Sequence, residues 1–106
     1  MALDVLDMMP GKKIVVTPGM TELGHKEREL NHIFGTQIAK TADIVILVGA
    51  KKTRPIFDGL LENEYDKDKI FIVNNVYDAY NLLQTFKFKE KMYALFENDL
   101  PDLYNE

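Results

Sequence analysis

Short apolar runs alternating with helix-length amphipathic segments predict an α/β domain: a mainly parallel sheet with helices on both faces, a three-layer Rossmann-like arrangement. The clearest run is Asp43-Ile44-Val45-Ile46-Leu47-Val48, whose unbroken apolar stretch leaves no face for solvent, as in a strand covered on both sides. Ile14-Val15-Val16 is a short β-branched run that ends at Pro18-Gly19, and Ile70-Phe71-Ile72-Val73 reads as a third strand. The segments between these runs carry apolar residues at helical spacing.

Each element follows from its own residues. In residues 2–9, Leu3, Leu6 and Met9, with Val5, fall on a helical spacing that Pro10-Gly11 stops. Residues 13–17 form a strand that breaks at Pro18-Gly19 into a structured loop over 18–24. A helix over 25–41 places Leu30, Ile33, Phe34, Ile38 and Ala42 on one face, with Lys26, Glu27, Arg28, Gln37 and Lys40 on the other. Gly35 lies inside that helix at a cost of about 1 kcal/mol relative to alanine, which points to close packing on the sheet. Gly49 ends the second strand. Thr53 is expected to N-cap a helix running to Glu62, with Pro55 in the first turn, where its missing N–H costs nothing. After the third strand, Asn74-Asn75 lead into a helix over 76–86 with Val76, Tyr80, Leu83 and Phe86 as its core stripe. Met92-Tyr93-Ala94-Leu95-Phe96 is the fourth strand, followed by an acidic tail over 97–106.

Right-handed crossovers bring the strand-to-helix loops to one edge of a parallel sheet. Residues 17–24, 49–52, 74–75 and 97–99 are therefore expected to share a rim, where open α/β sheets bind their ligands. The 106 residues are read as a single domain, and a sheet entered through a helix reads as lacking its first strand.

Composition excludes several classes of function. Apolar and aromatic residues make up 46% of the chain, enough to build a core. The net charge is −4 and the cations are scattered, so no nucleic-acid footprint is present. There is no cysteine, hence no disulfide, thiolate nucleophile or thiolate zinc site. The first nine residues contain Asp4 and Asp7 and no basic region, unlike a signal peptide, and the apolar runs are far too short for a membrane span. A cytoplasmic location, with no membrane partner, is the expectation.

The candidate chemistry lies on the rim. Neither GxxxxGK[ST] nor GxGxxG occurs, so the chain has no nucleotide fingerprint of its own. Pro18-Gly19 reads equally as backbone donors for an anion or as a tight turn that needs glycine. Lys51, Lys52 and Arg54 read either as an anion-attracting cluster or as a solvated loop; cations at a helix start oppose the macrodipole and so need another reason to be there. His25 and His32 are seven residues apart on one face and read as surface histidines. Glu97-Asn98-Asp99 follows a buried strand and reads as a holder of Mg²⁺ or an ammonium group, or as an acidic cap on the domain end. Asp66-Lys67-Asp68-Lys69 reads as a solvated turn at the opposite edge. No catalytic triad, carboxylate pair or metal cluster emerges.

Three motifs in order resemble the C-terminal domain of the Mur ligases, closest to the branch that adds D-alanyl-D-alanine to the UDP-N-acetylmuramoyl tripeptide. Met9-Pro10-Gly11 matches the "MPG" that closes a helix there, and Met20, Glu22, Leu23 and Gly24 match the loop "GDMxELG". Val48-Gly49 matches the "VG" that ends the next strand, and the likeness runs from about Ala2 to Phe96. It implies a substrate- and nucleotide-positioning domain of an ATP-dependent amide-bond-forming ligase of peptidoglycan precursor synthesis. The implied partners are a central ATP-binding domain of the same chain, ATP with Mg, a UDP-muramoyl peptide and an amino-acid or dipeptide amine. Thr17, Pro18, Met20, Glu22, Gly49, Lys51, Asn98 and Asp99 are then the loop residues facing substrate or nucleotide, with no catalytic residue and no metal ligand among them. Two departures point to a diverged paralogue: Pro18-Gly19 stands for the family's Gly-Asp, and Glu97 for the lysine of "VKGS". The competing expectations are a small non-catalytic α/β binding or regulatory module and a ligase homologue that has lost activity.

Overall fold

The computed structural model describes residues 2–97. Elements run in the order α1 (Ala2–Asp7), β1 (Lys12–Thr17), a 3₁₀ turn (Gly24–Lys26), α2 (Glu27–Thr41), β2 (Ile44–Val48), α3 (Arg54–Glu62), a second 3₁₀ turn (Lys67–Lys69), β3 (Ile70–Val73), α4 (Val76–Leu83) and β4 (Met92–Phe96). The four strands form one all-parallel sheet in the order β3-β2-β1-β4. The chain steps outward from β1 to β3 and then crosses back to β4, which places the topological switch point between β1 and β4.

Two apolar layers flank the sheet. On one face Val15, Val45 and Leu47 pack with Leu6 of α1, Phe34, Ile38 and Ala42 of the α2 segment, and Ile56 and Leu60 of α3. On the other, Ile14, Val16, Ile44, Ile46 and Val48 pack with Ala79 and Leu83 of α4. Strand side chains alternate between the two layers, so β2 is buried at every position, as its unbroken apolar run requires. The molecule is thus a three-layer α/β sandwich of Rossmann-like type.

Several helix faces differ from the sequence expectation. In α2 the buried positions are Asn31, Phe34, Gly35 and Ile38, whereas Leu30 and Ile33 are exposed. The helix is rolled toward α3, because Gly35 and Gly59 let the two backbones meet: a Cβ on Gly35 would overlap the Ile56 carbonyl oxygen, and one on Gly59 the His32 carbonyl oxygen. Gly35 therefore packs against α3 rather than the sheet. The first turn of the expected 25–41 helix is 3₁₀. In α4 the buried pair is Ala79 and Leu83, while Val76 and Tyr80 are about half exposed, since a small residue brings the helix close to the sheet and turns its neighbours outward. Val5 of α1 is exposed as well. Thr53 stands just before α3 but makes no side-chain cap; its buried hydroxyl donates to the Gly49 carbonyl at 2.7 Å, closing the turn after β2.

Candidate functional site

The carboxyl edge of the sheet is built around the loop that follows β1. Thr17 ends the strand fully buried, and its hydroxyl oxygen accepts the Gly19 N–H at 2.9 Å. Gly19 turns the chain with φ +86°, a conformation that favours glycine, and lies against the Lys52 carbonyl and the Thr53 side chain. Met20 is then held at both ends of its peptide: the Asn31 side chain accepts its N–H at 2.9 Å and donates to its carbonyl at 2.8 Å. The same amide donates to the Glu27 carbonyl at 2.8 Å. Asn31 is 1% exposed, and its amide hydrogens and oxygen are spent inside the molecule.

This geometry decides between the two readings of Pro18-Gly19. The Gly19 and Met20 N–H groups are both engaged internally, so the segment is a tight, braced turn rather than an anion cradle. Further along, Glu22 has φ +63° and Gly24 φ +65°. The left-handed region costs a non-glycine residue about 1–2 kcal/mol. The other such residue, Glu64, follows the end of α3, where a left-handed residue is ordinary. Glu22 has no helix end to explain it, and strain of this kind collects at functional loops.

The expected site residues separate into distinct environments. Pro18 is half-buried in the turn, and Met20 packs against the α2–α3 side of the core. Glu22 and Lys51 are exposed, and Gly49 bends the chain after β2 with φ +90° while its N–H bonds the Val73 carbonyl at 2.8 Å. Asn98 and Asp99 lie outside the described residues. Immediately before them, Glu97 is tied across the switch point by its N–H, which donates to the Val16 carbonyl at 2.9 Å. Its carboxyl is partly buried, and loss of hydration raises its pKa above the ordinary glutamate value.

The basic cluster is redistributed. Arg54 bonds Asp58 at 3.0 Å and sits over the Phe57 ring, so it belongs to the side of α3. Lys51 and Lys52 instead line a groove of about 430 Å³ with Gly24, His25, Glu27, Arg28, Asn31 and Pro55. Arg28, which the helical pattern placed on the polar face of α2 with no link to the lysines, joins them here because α2 and α3 cross so closely. A neighbouring depression joins His25 and Arg28 to His32 and Asp58. There His32 pairs with Glu62 at 3.0 Å and Arg28 approaches Asp58 at 3.8 Å. No metal-binding group of three or more His, Cys, Asp or Glu side chains occurs among the described residues. Among them, too, no helix is long and apolar enough to cross a membrane. The Asp66–Lys69 segment is an exposed 3₁₀ turn capped by Asp66, at the edge opposite the rim.

No family model, curated protein or solved structure matches this chain.

Proposed function

We propose that this chain is the C-terminal domain of an ATP-dependent amide ligase of the Mur type, acting in the cytoplasm on a peptidoglycan precursor. One observation carries the reading. The residues that resemble the ligase loop, Met20, Glu22, Leu23 and Gly24, lie on a braced, strained loop at the carboxyl edge of the sheet, beside its switch point. A loop braced by a buried amide suits a positioning role, in which a fixed surface closes over a second domain, orients nucleotide and amine, and excludes water. In such a ligase ATP phosphorylates a substrate carboxylate, and the incoming amine attacks the acyl phosphate. The P-loop and Mg²⁺ belong to the central domain; this domain contributes no group to the bond-making step.

Glu97 favours a diverged member over the D-alanyl-D-alanine-adding enzyme itself. A partly buried carboxylate at the switch point, in place of a lysine, reverses the charge offered to the substrate and suits an amine that carries an extra cation. The test is ATP turnover by the chain joined to its ATP-binding domain, with UDP-muramoyl peptides and a panel of neutral and cationic amines. Phosphate release that requires both peptide and amine is expected. A folded, ATP-binding protein with no turnover on any pair would overturn the ligase reading in favour of a non-catalytic module.

A further inference from the structure

The groove between the 3₁₀ turn, the start of α2 and the loop after β2 has an electrostatic imbalance that the fold does not relieve. Arg28, Lys51 and Lys52 line it against a single carboxylate, Glu27, in a chain whose net charge is −4. Lys51 and Lys52 have no side-chain ion pair or hydrogen bond among the described residues, and Arg28 has only the long contact to Asp58. Glu27 begins α2, and Pro55 stands in the first turn of α3, so the positive ends of two helix dipoles border the same groove. Cations there are repelled by both dipoles. A bound anion reverses the sign of each of these interactions at once.

We propose that this groove binds a diphosphate group, with Lys51, Lys52 and Arg28 as its cationic contacts and His25 as a further donor. Three fixed cations and two helix N-termini match a polyanion better than a single carboxylate, and the guanidinium suits the bidentate geometry of phosphate oxygens. The turn at Gly19 rests on the Lys52 carbonyl, so a ligand held here lies directly behind the braced β1 loop. The chemistry rests on charge and shape alone; only the biological source of the diphosphate, a nucleotide or a nucleotide-linked sugar, rests on the ligase reading.

The test is titration of the 106-residue chain with inorganic pyrophosphate, followed by amide chemical shifts at low and at physiological salt. Saturable shifts confined to residues 24–31 and 49–55 are expected, weakening as salt rises. K51E or K52E should weaken binding about tenfold or more, as loss of a charge-assisted contact does. K67E, an equal charge change at the opposite edge, should leave it within about twofold. Both lysines are exposed, so the variants keep the wild-type fold, which their melting temperatures verify. R28Q gives a second reading from the other wall. Three results would each overturn the proposal: no saturation below about 10 mM pyrophosphate, equal weakening by K67E, or acetate binding as tightly as pyrophosphate. Arms with ATP and with UDP-N-acetylglucosamine divide the two sources, since the true one must bind more tightly than pyrophosphate. Pyrophosphate binding without turnover in the ligase assay would sink the function and leave this site standing.

Discussion

Gly35→Ala is the sharpest test of how this fold is held together. The added methyl would stand well inside contact distance of the Ile56 carbonyl oxygen, 3.0 Å from its carbonyl carbon and 3.1 Å from its Cα. All three are backbone atoms in the first turn of α3, so no side chain can swing aside and the helices must separate. Their shared layer with the sheet contains Phe34, Ile38, Ile56 and Leu60, which would lose contact together. Overpacking of this kind costs about 1–3 kcal/mol, and a rigid backbone neighbour puts it at the upper end. Alanine's better helix propensity returns about 1 kcal/mol. The net expectation is a loss of about 2 kcal/mol, or roughly 10 °C in melting temperature for a domain of this size. Urea unfolding gives the free energy and calorimetry the midpoint. Gly24→Ala is the control: its Cβ would meet nothing within 4 Å, so only the φ +65° strain of about 1–2 kcal/mol remains. A Cβ on Gly59 would stand 3.3 Å from the Gly35 Cα, so the double variant should cost less than the sum of the singles. A Gly35→Ala protein as stable as the wild type would refute the close crossing.

Other consequences can be measured on the same chain. Asn31→Ala strands the Met20 N–H and carbonyl, and should cost about 2–4 kcal/mol, with hydrogen exchange at Met20 accelerating first. Tyr65 donates its hydroxyl to the Ala42 carbonyl at 2.7 Å, so Tyr65→Phe should lose about 1 kcal/mol at neutral pH. Burial first, then the charges of Asp43 and Asp66, raise the Tyr65 pKa above its ordinary value. The native state therefore holds that proton more tightly than the unfolded chain, and Tyr65's contribution to stability falls as pH rises above about 10, a decline the phenylalanine variant should lack. The same sign applies to Glu97, whose raised pKa makes its contribution fall as pH climbs past the ordinary glutamate value near 4.3. Glu97→Gln should accordingly gain stability relative to wild type at neutral pH and lose that advantage below about pH 4, by urea unfolding across the range.

What could be read from the sequence was whatever depends on local pattern. The continuous apolar run of β2 can only be a strand covered twice, and Pro55 can only stand in the first turn of a helix. Helix faces were less legible, because a period of 3.6 fixes a stripe but not which of its edges meets a neighbour. Leu30 and Ile33 satisfy the stripe as well as Phe34 does, yet the crossing at Gly35 and Gly59 turns them outward. Small and polar residues made the decision, and a reading weighted by hydrophobicity passes over them. Asn31 is the extreme case: a polar residue in mid-helix, silent in the pattern, yet nearly fully buried and central to the rim. A buried asparagine is legible only once the backbone it bonds is in place.

Asn31 also links the two candidate surfaces. Its side chain fixes Met20 on the loop at the switch point, and it lines the groove that holds Lys51 and Lys52. Those lysines belong to a different loop, whose Lys52 carbonyl lies beside Gly19 of the first. A change at Lys51 therefore removes charge from the groove without moving the Met20 turn, whereas a change at Asn31 loosens both walls together. If the rim works as one surface, Asn31→Ala should impair pyrophosphate binding and ligase turnover in parallel, while K51E spares the turn's hydrogen-exchange protection. Independent responses to Asn31→Ala would mean that the groove and the switch-point loop are separate sites that share a helix and nothing more.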